Sequence, residues 1–328
     1  MMEQQKDIYC ELGFWRRLSS QFSTIQMSPD PIKREHNQIL MDWYDLLCRS
    51  NMYFDCKAED FENVAKNDEY LKRIWKRSTD SRGQLFFSYG AVASMRAGSS
   101  EMERKMYNSL YLSDENLAIQ AQNVGVINVS SDGILNHTEL FNDKGPSITR
   151  NSLNDWTRIL NTAKAQQNCN SMIIADNYIF KDVKANLYKI LDTLLPQKLE
   201  AVFYLTVFSI NEASDNELDK RRKNNLEKKI KEMRPNLSIV IEVFGNSTVD
   251  FHDRGIITNY LWIEIGAGFN LLKSNGTSVK STNLHITYPM IIPENRMRCS
   301  KSGYWNIIHD AQACLKSRDL SSNNRLLR

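Results

Sequence analysis

Three consecutive segments between residues 171 and 210 decide the fold class. They read SMIIADNYI at 171–179, NLYKILDTLLP at 186–196 and AVFYLTVFSI at 201–210. The first and third are rich in β-branched and aromatic residues, which favours strands, and the middle one has the apolar spacing of an amphipathic helix. Strands that are apolar on both faces are typical of a sheet covered by helices on each side. The segments therefore predict a β-α-β unit in an α/β fold.

Three further strands and one long helix are predicted downstream of this unit. The strand-like segments read LSIVIEVF at 237–244, LWIEIGAGFNLL at 261–272 and LHITYPMII at 284–292. Residues 212–237 begin with acidic side chains and end with basic ones, which suits a solvated helix aligned with its macrodipole. The basic run 220–223 in this helix can contact phosphates, although such a run is more often only a solvated surface. Together these segments predict a mixed β-sheet flanked by helices.

A mainly helical region is predicted at the N-terminus, over residues 1–110. Apolar residues recur there at helical spacing in three segments, FWRRLSSQF at 14–22, HNQILMDWYDLLCRSNMYF at 36–54 and AEDFENVAKNDEYLKRIWKRS at 58–78. The aromatic side chains of these segments are more often core residues than ligand-binding residues. A helical region of this kind can bind a partner protein.

The predicted domain boundaries follow from a change of period along the chain. VGVINVS at 124–130 is the first strand-like segment after the helical region. We therefore expect an α/β domain over residues 111–310 and a polar tail that frays over 311–328. A chain of 328 residues is long enough for two domains that each have a core.

Composition excludes several classes of protein. With 41% hydrophobic and 25% charged residues, the chain has the make-up of an ordinary globular protein. Its 42 basic and 39 acidic residues give a net charge of +3, so a nucleic acid or membrane can be bound only by a local patch. The sequence has no apolar run of membrane-spanning length, and MMEQQKDIYC lacks the apolar region of a signal peptide. These features predict a soluble, cytoplasmic protein.

Neither a metal site nor a cofactor site is indicated. The six cysteines are scattered without a C-x-x-C pair, and the five histidines have no ligand spacing to them. We expect free thiols, since cytosolic disulfides are rare.

The stretch DFHDRGIITNYLWIEIGAGFN at 250–270 contains the residues with chemical potential. His252 and Arg254 are two residues apart, so both point to the same side of an extended segment. An imidazole can attack or protonate a phosphoryl centre, and a guanidinium can clamp its oxygens in bidentate fashion. The G-x-G-x-N run at 266–270 adds close backbone approach and an amide side chain. This pattern predicts a phosphate site.

The spacing of this stretch resembles the signature of the phospholipase D superfamily, which reads H-x-K, four residues, Asp, six residues, and G-S-x-x-N. His252, Gly266 and Asn270 are identical to the signature. The three departures are Arg254 for lysine, Asn259 for aspartate and Ala267 for serine. Loss of a carboxylate and a hydroxyl, and replacement of a compact ammonium by a planar guanidinium, weigh against turnover but are compatible with phosphate recognition.

A closer resemblance is to the phospholipase-D-like C-terminal module of MIT-domain proteins, which has an H-D-R variant of the motif. The similarity covers about residues 150–290 and includes the turn of Asp176 and Tyr178, the following helix and the next strand. That module is associated with acidic phospholipid surfaces and is not known for hydrolysis. No MIT domain is evident in the N-terminal region of this chain.

The resemblance implies a set of site residues. In an active member, catalytic roles would belong to His252, Arg254 and Asn270. The phosphate would be held by His252, Arg254, Asn259, Gly266 and Gly268. Asp176, Tyr178 and Asp253 are expected to support these residues from behind.

The function implied is binding of phosphate or phosphodiester groups by a degenerate site. We favour nucleic acid over phospholipid, because the sequence has no strongly amphipathic cationic helix. By analogy, such degenerate domains resemble parts of bacterial restriction and antiviral defence systems. Only one half-site is present, and the segment around His137 lacks a partner cation. An active enzyme, a metal-independent nuclease with His252 as nucleophile, would therefore need a homodimer.

Two alternatives stay open on the sequence alone. In the first, the chain is an interaction module, and its work lies in the helical N-terminal region. In the second, the site is purely structural: His252 is hydrogen-bonded, and Arg254 pairs with Asp250, Asp253 or Glu264. Asp176 and its neighbours would then only form a turn after a strand.

Overall fold

The computed structural model divides the chain into two compact units, Met1–Phe141 and Asn142–Arg328. Not every residue of these units is described. The described residues are 7–25, 29–78, 84–88, 90, 109–115, 117–136, 147–149, 158, 161, 169–210, 216–246, 251, 253–266, 268–269, 272–273, 275, 283–287 and 302–327.

The first unit contains a parallel five-stranded sheet in the order β3-β2-β1-β4-β5. Its strands are β1 (Asp7–Cys10), β2 (Asn51–Phe54), β3 (Leu85–Phe87), β4 (Ser109–Leu112) and β5 (Ile127–Val129). Its described helices are α1 (Leu12–Phe22), α2 (Pro31–Arg49), α3 (Ala58–Ala65), α4 (Glu69–Ser78), α5 (Ala118–Val124) and a 3-10 turn (Ile134–Asn136). This strand order is that of doubly wound α/β folds.

Local sequence explains where two of these helices begin and end. The Asp30 carboxylate accepts a hydrogen bond from the backbone N–H of Ile32, and Pro31 occupies the first turn of α2, where a missing N–H costs nothing. Helix α5 ends at Gly125, whose φ of 73° is the left-handed conformation that a glycine adopts without steric cost.

The three segments predicted as helical within residues 1–110 do contain helices α1 to α4, but the prediction missed strands β1 to β4, and the residues of β2 were included in a helical segment. The strand predicted at 124–130 contains β5. Each strand of the first sheet has only three or four residues. In β1, Ile8, Tyr9 and Cys10 are all buried, so the strand shows no alternation of apolar and polar residues. The expected boundary at 110/111 falls inside β4, which pairs with β1, and the first unit instead extends to Phe141.

The second unit contains a mixed seven-stranded sheet in the order β6-β12-β11-β10-β7-β8-β9. Its strands are β6 (Ser147–Thr149), β7 (Ser171–Ala175), β8 (Phe203–Ile210), β9 (Ile239–Asn246), β10 (Gly255–Thr258), β11 (Trp262–Ile265) and β12 (Asn283–Thr287). Strands β7, β8 and β9 are parallel, and the remaining pairs are antiparallel. The described helices are α6 (Leu187–Leu194), α7 (Asn216–Met233), α8 (Ser302–Ser317) and a 3-10 turn (Arg325–Leu327).

Helices cover both faces of this second sheet. Consecutive residues of β7 point to opposite faces, and Ile174 packs in a cluster with Leu191 of α6, whereas Ile173 packs with Ile307 of α8. The β-α-β unit over 171–210 and the α/β class are therefore confirmed. Among the described residues, no helix is long and apolar enough to cross a membrane.

The C-terminal segment does not form the frayed tail that was expected for 311–328. Helix α8 continues to Ser317, and Leu326 and Leu327 are buried beyond it. The side chain of Asn324 is also buried, and its amide donates hydrogen bonds to the backbone oxygens of Met172 and Tyr204. The polar composition of this segment gives no indication that it packs against the second unit, because the buried residues Asn324, Leu326 and Leu327 are too few to form a periodic pattern.

Candidate functional site

The candidate site lies at one edge of the second sheet. Strands β7, β8 and β9 all end at this edge because they are parallel. Strand β10 runs the other way, and the pairing of Gly255 with Ala175 places its first residue at the same edge. The pairing of Gly255 with Glu264 brings the end of β11 there as well. The turn after β7, the segment before β10 and the glycine-rich segment after β11 therefore meet.

Asp176 joins two of these segments. It is fully buried, and its Oδ1 accepts a hydrogen bond of 2.6 Å from the backbone N–H of Tyr178. Its Oδ2 accepts one from the backbone N–H of Phe269 in the glycine-rich segment. Burial raises the pKa of this carboxyl, and the two amide hydrogen bonds and the charge of Arg254 oppose that rise. Asp176 thus holds together the backbone of the turn after β7 and that of the glycine-rich segment after β11.

Gly268 allows this close packing. Its φ of +80° is a conformation that side chains other than glycine rarely adopt. A Cβ at this position would lie 2.5 Å from Oδ2 of Asp176 and 3.2 Å from Cδ of Arg254. Only a glycine lets the segment after β11 close over the carboxylate and the arginine stem at once.

Arg254 supplies a positive charge that forms no ion pair with a described carboxylate, although it acts on the nearby carboxyl of Asp176. Its Nε donates a hydrogen bond of 3.3 Å to the backbone oxygen of Phe251. The centre of the guanidinium lies 5.6 Å from the ring centroid of Tyr178. Among the described residues, neither Asp253 nor Glu264 forms an ion pair with Arg254, although both were alternatives on the sequence. The third alternative, Asp250, lies outside the described residues.

A second cation, Lys181, lies near the same tyrosine ring as Arg254, that of Tyr178. The side chain of Tyr178 is 40% exposed, which is unusual for an aromatic residue next to a core strand. The Nζ of Lys181 lies 4.4 Å from the centroid of its ring. Lys181 and Arg254 thus share one exposed ring, and the pair forms a positive surface with an aromatic face.

Asn177 holds the backbone just before the H-D-R motif. Its amide nitrogen donates to the backbone oxygen of Phe251, and its amide oxygen accepts from the Phe251 N–H, both at 3.3 Å. The hydroxyl of Ser209 at the end of β8 donates to the backbone oxygen of Asn177. The sequence predicted only a turn residue here, because an asparagine after a strand usually forms a turn. The structure assigns it the positioning of the segment before Arg254.

Asp253 connects the motif to helix α8. Its Oδ2 accepts a hydrogen bond of 2.7 Å from the amide of Asn306. This contact lies on the α8 side of the sheet, so Asp253 supports the motif through Asn306.

Asn259 lies at the opposite end of β10 from Arg254. It is fully buried, and its Oδ1 accepts from the backbone N–H groups of Asn170 and Ser171 at 3.0 and 2.9 Å. Its Nδ2 donates to Oδ1 of Asn170 at 3.0 Å. The four residues of β10, Gly255–Thr258, lie between Arg254 and Asn259 and span roughly 13 Å along the strand. The expectation that Asn259 contacts the phosphate gains no support from this position, and the candidate site omits it.

Three residues of the predicted motif, His252, Ala267 and Asn270, lie outside the described residues, as does His137. Gly266 directly follows β11 at the site edge and is exposed. The described part of the site consists of Asp176, Asn177, Tyr178, Lys181, Asp253, Arg254, Gly266, Gly268 and Phe269.

The first sheet also has polar residues at the carboxyl ends of its strands, and sequence reasoning missed them. The hydroxyl of Ser113 donates to Glu11 at 2.6 Å, and Asp114 pairs with Arg17 and accepts from the Ser131 N–H. These residues follow very short strands, so no pattern marked them. Within the described ranges, no group of histidine, cysteine, aspartate and glutamate residues can hold a metal ion.

Comparison with known proteins adds no relative to this picture: the chain matches no protein-family model and no curated protein sequence.

Proposed function

We propose that the second unit is a phospholipase-D-like module that binds phosphodiester groups of nucleic acid at the Arg254 edge of its sheet. The observation that carries the proposal is the guanidinium of Arg254, which has no ion-pair partner among the described residues and lies beside the exposed ring of Tyr178. A planar guanidinium in this state is suited to bidentate binding of a phosphate. His252 and Asn270 are proposed to complete the site.

Binding without turnover is the form of this function that we favour. The superfamily signature has an aspartate where this chain has Asn259, and the amide of Asn259 is used up by hydrogen bonds to Asn170 and Ser171. The signature's serine is replaced by Ala267. Two of the groups that distinguish an active site from a binding site are therefore missing.

Nucleic acid fits the described surface better than a phospholipid membrane does. Two cations that share an exposed aromatic ring can bind a phosphate and stack a base at the same time. Among the described residues of the second unit, the exposed large hydrophobic side chains are Tyr178 and Leu320. Insertion into a membrane interface usually takes a broader apolar surface.

The test is a titration of labelled single-stranded DNA and RNA with the wild type, Arg254→Gln and His252→Ala, with EDTA present. We expect Arg254→Gln to weaken binding by about tenfold or more, since it removes a charge-assisted contact. The matched control is Arg17→Gln, which removes an arginine from the edge of the first sheet and should leave binding unchanged. Equal affinities of the wild type and Arg254→Gln would refute the proposal.

The same samples distinguish the two other functions. Products on a denaturing gel that disappear in His252→Ala would establish a metal-independent nuclease instead of a binding module. Anionic vesicles in place of DNA test the phospholipid alternative, for which the Arg254→Gln loss would appear only with vesicles.

A further inference from the structure

Three aromatic rings that each lie close to a cation follow one another along residues 178–188, and we call them the aromatic row. Two of them, Phe180 and Tyr188, are partly buried against the core. Tyr178 is the first ring, with Lys181 and Arg254 beside it. Phe180 is the second, and the guanidinium of Arg222 on α7 lies 4.4 Å from its centroid.

The third ring is Tyr188 at the start of α6. The Nζ of Lys229 on α7 lies 5.9 Å from its centroid. Arg222 and Lys229 are seven residues apart on one helix, which corresponds to roughly 10 Å along its axis. The aromatic row therefore runs along the side of the second unit where the turn after β7, the helix α6 and the helix α7 meet.

The aromatic row ends in a cleft of about 890 Å³ between α6 and α7. Three lysines line this cleft, Lys184, Lys189 and Lys229. Lys184 and Lys189 form no ion pair with the described residues, and Lys229 has only the partly exposed Glu232 as partner, at 3.1 Å.

The one buried cation of the cleft is already neutralised. The guanidinium of Arg234 is 5% exposed and pairs with Asp192 at 3.0 Å. It is also held by the backbone oxygen of Leu195. Arg234 and Asp192 thus form the wall of the cleft, and the three lysines give the cleft its net positive charge.

We infer that the aromatic row and this cleft form a track for the continuing strand of a single-stranded nucleic acid whose phosphate is held at Arg254. The inference rests on the proposed function and extends it from a single phosphate to a chain. A positive groove with aromatic faces at intervals is the arrangement that binds single strands without sequence preference. A flat membrane surface does not fit a concave cleft, and the exposed face of α7 has no large apolar residue.

The test compares two double variants with the same change of charge on an oligothymidylate of about 15 nucleotides, long enough to span the aromatic row. Lys189→Gln/Lys229→Gln removes two cleft lysines. Lys228→Gln/Lys231→Gln removes two lysines of α7 that do not line the cleft. We expect the first variant to weaken binding at least about fivefold and to lower the salt dependence by about 1.4 in log–log slope, and the second to change neither.

The outcomes separate the track from the site that it extends. Equal weakening by both double variants, or by neither, while Arg254→Gln still weakens binding by about tenfold or more, would overturn the track and leave the proposed function standing. If Arg254→Gln has no effect, the proposed function fails whatever the double variants do. Polyglutamate serves as a further probe: a loss of polyglutamate binding equal to the loss for DNA would show a general anion surface and overturn the assignment to nucleic acid.

Discussion

The carboxyl edges of the two sheets differ in how their charges are satisfied. At the first sheet, Arg17 pairs with Asp114, which also accepts from the Ser131 N–H, and Glu11 accepts from Ser113. At the second sheet, the buried carboxylate of Asp176 is occupied by two backbone N–H groups.

This difference has a direct consequence for ligand binding. The oxygens of Asp176 accept from backbone N–H groups, and the nearby Arg254 acts on this carboxyl through its charge without forming an ion pair with it or with another described carboxylate. A guanidinium without an ion pair at a sheet edge can bind an anion from solution, whereas a guanidinium already paired with a carboxylate is less suited to do so. The second edge is therefore the better candidate for a binding site, and the first is interpreted as structural.

The largest effect is expected when the carboxylate that organises the second edge is removed. Asp176→Ala leaves the buried N–H group of Phe269 and the partly buried N–H group of Tyr178 without their acceptor, which should lower the free energy of unfolding by about 2–4 kcal/mol. Asp176→Asn keeps one acceptor oxygen and should lose less. Urea unfolding measures both losses, and amide exchange at Tyr178 and Phe269 locates them. Equal losses in the two variants would contradict the acceptor role.

The second prediction compares two glycines with left-handed backbone, one in each unit. Gly90 has a φ of +66° and open space around it, so Gly90→Ala should cost about 1–2 kcal/mol of backbone strain. Gly268→Ala adds a contact of 2.5 Å with Asp176 and should cost about 1 kcal/mol or more beyond that. Thermal unfolding of the two variants is the measurement. A Gly268→Ala variant as stable as Gly90→Ala would show that the segment after β11 does not close over Asp176.

The third prediction concerns the ion pair between Arg17 and Asp114 at the carboxyl edge of the first sheet. The side chain of Arg17 is 57% exposed, and ion pairs in such positions contribute only about 0–1 kcal/mol. Arg17→Gln should therefore shift the urea midpoint slightly, and the shift should shrink further in high salt. A loss similar to that of Asp176→Ala would mean that the first edge is more than a surface ion pair.

The sequence predicted the second unit better than the first. Strands β7 and β8 have five and eight residues and helix α6 has eight, long enough for period and composition to be read. The strands of the first sheet have three or four residues, and β1 to β3 lie within a region whose helices have strong apolar spacing; only β5 was predicted, from VGVINVS at 124–130. Most of these short strands show too little alternation to be told from a helical segment, and their parallel pairing joins segments that are far apart in sequence.

The sequence predicted which types of residue belong to the site but not which contacts their side chains make. The motif brought together Arg254, Gly268 and Asp176, which are separated in sequence but adjacent at the sheet edge. The spacing could not show that Asn259 faces a hydrogen-bond network at the far end of β10, since a signature fixes position along the chain but not the partners of a side chain. Nor could it show the contact of Lys181 with Tyr178, which depends on the path of the turn.

The fourth prediction contrasts the titration of the carboxylates that represent the two edges. Burial raises the pKa of Asp114, but the hydrogen bonds from Ser131 and the contact with Arg17 lower it more, so the pKa is below its usual value. Burial raises the pKa of Asp176, and its hydrogen bonds and Arg254 only reduce that rise. A carbon-13 NMR titration of the two carboxyl groups should therefore give a midpoint below that of an unstructured aspartate for Asp114 and above it for Asp176.

The opposite shifts have opposite effects on stability. A carboxyl whose folded pKa is lowered stabilises the fold above its unfolded pKa, and this contribution is lost as the pH falls through the folded pKa. A carboxyl whose folded pKa is raised does the reverse, and its contribution is lost as the pH rises through the folded pKa. Asp114→Asn should therefore reduce the acid sensitivity of the free energy of unfolding, and Asp176→Asn should increase the net gain of stability as pH rises from the acid range. If both variants change the pH profile in the same direction, the pKa of Asp176 is lowered like that of Asp114, and the charge of Arg254 and the backbone hydrogen bonds outweigh the effect of burial.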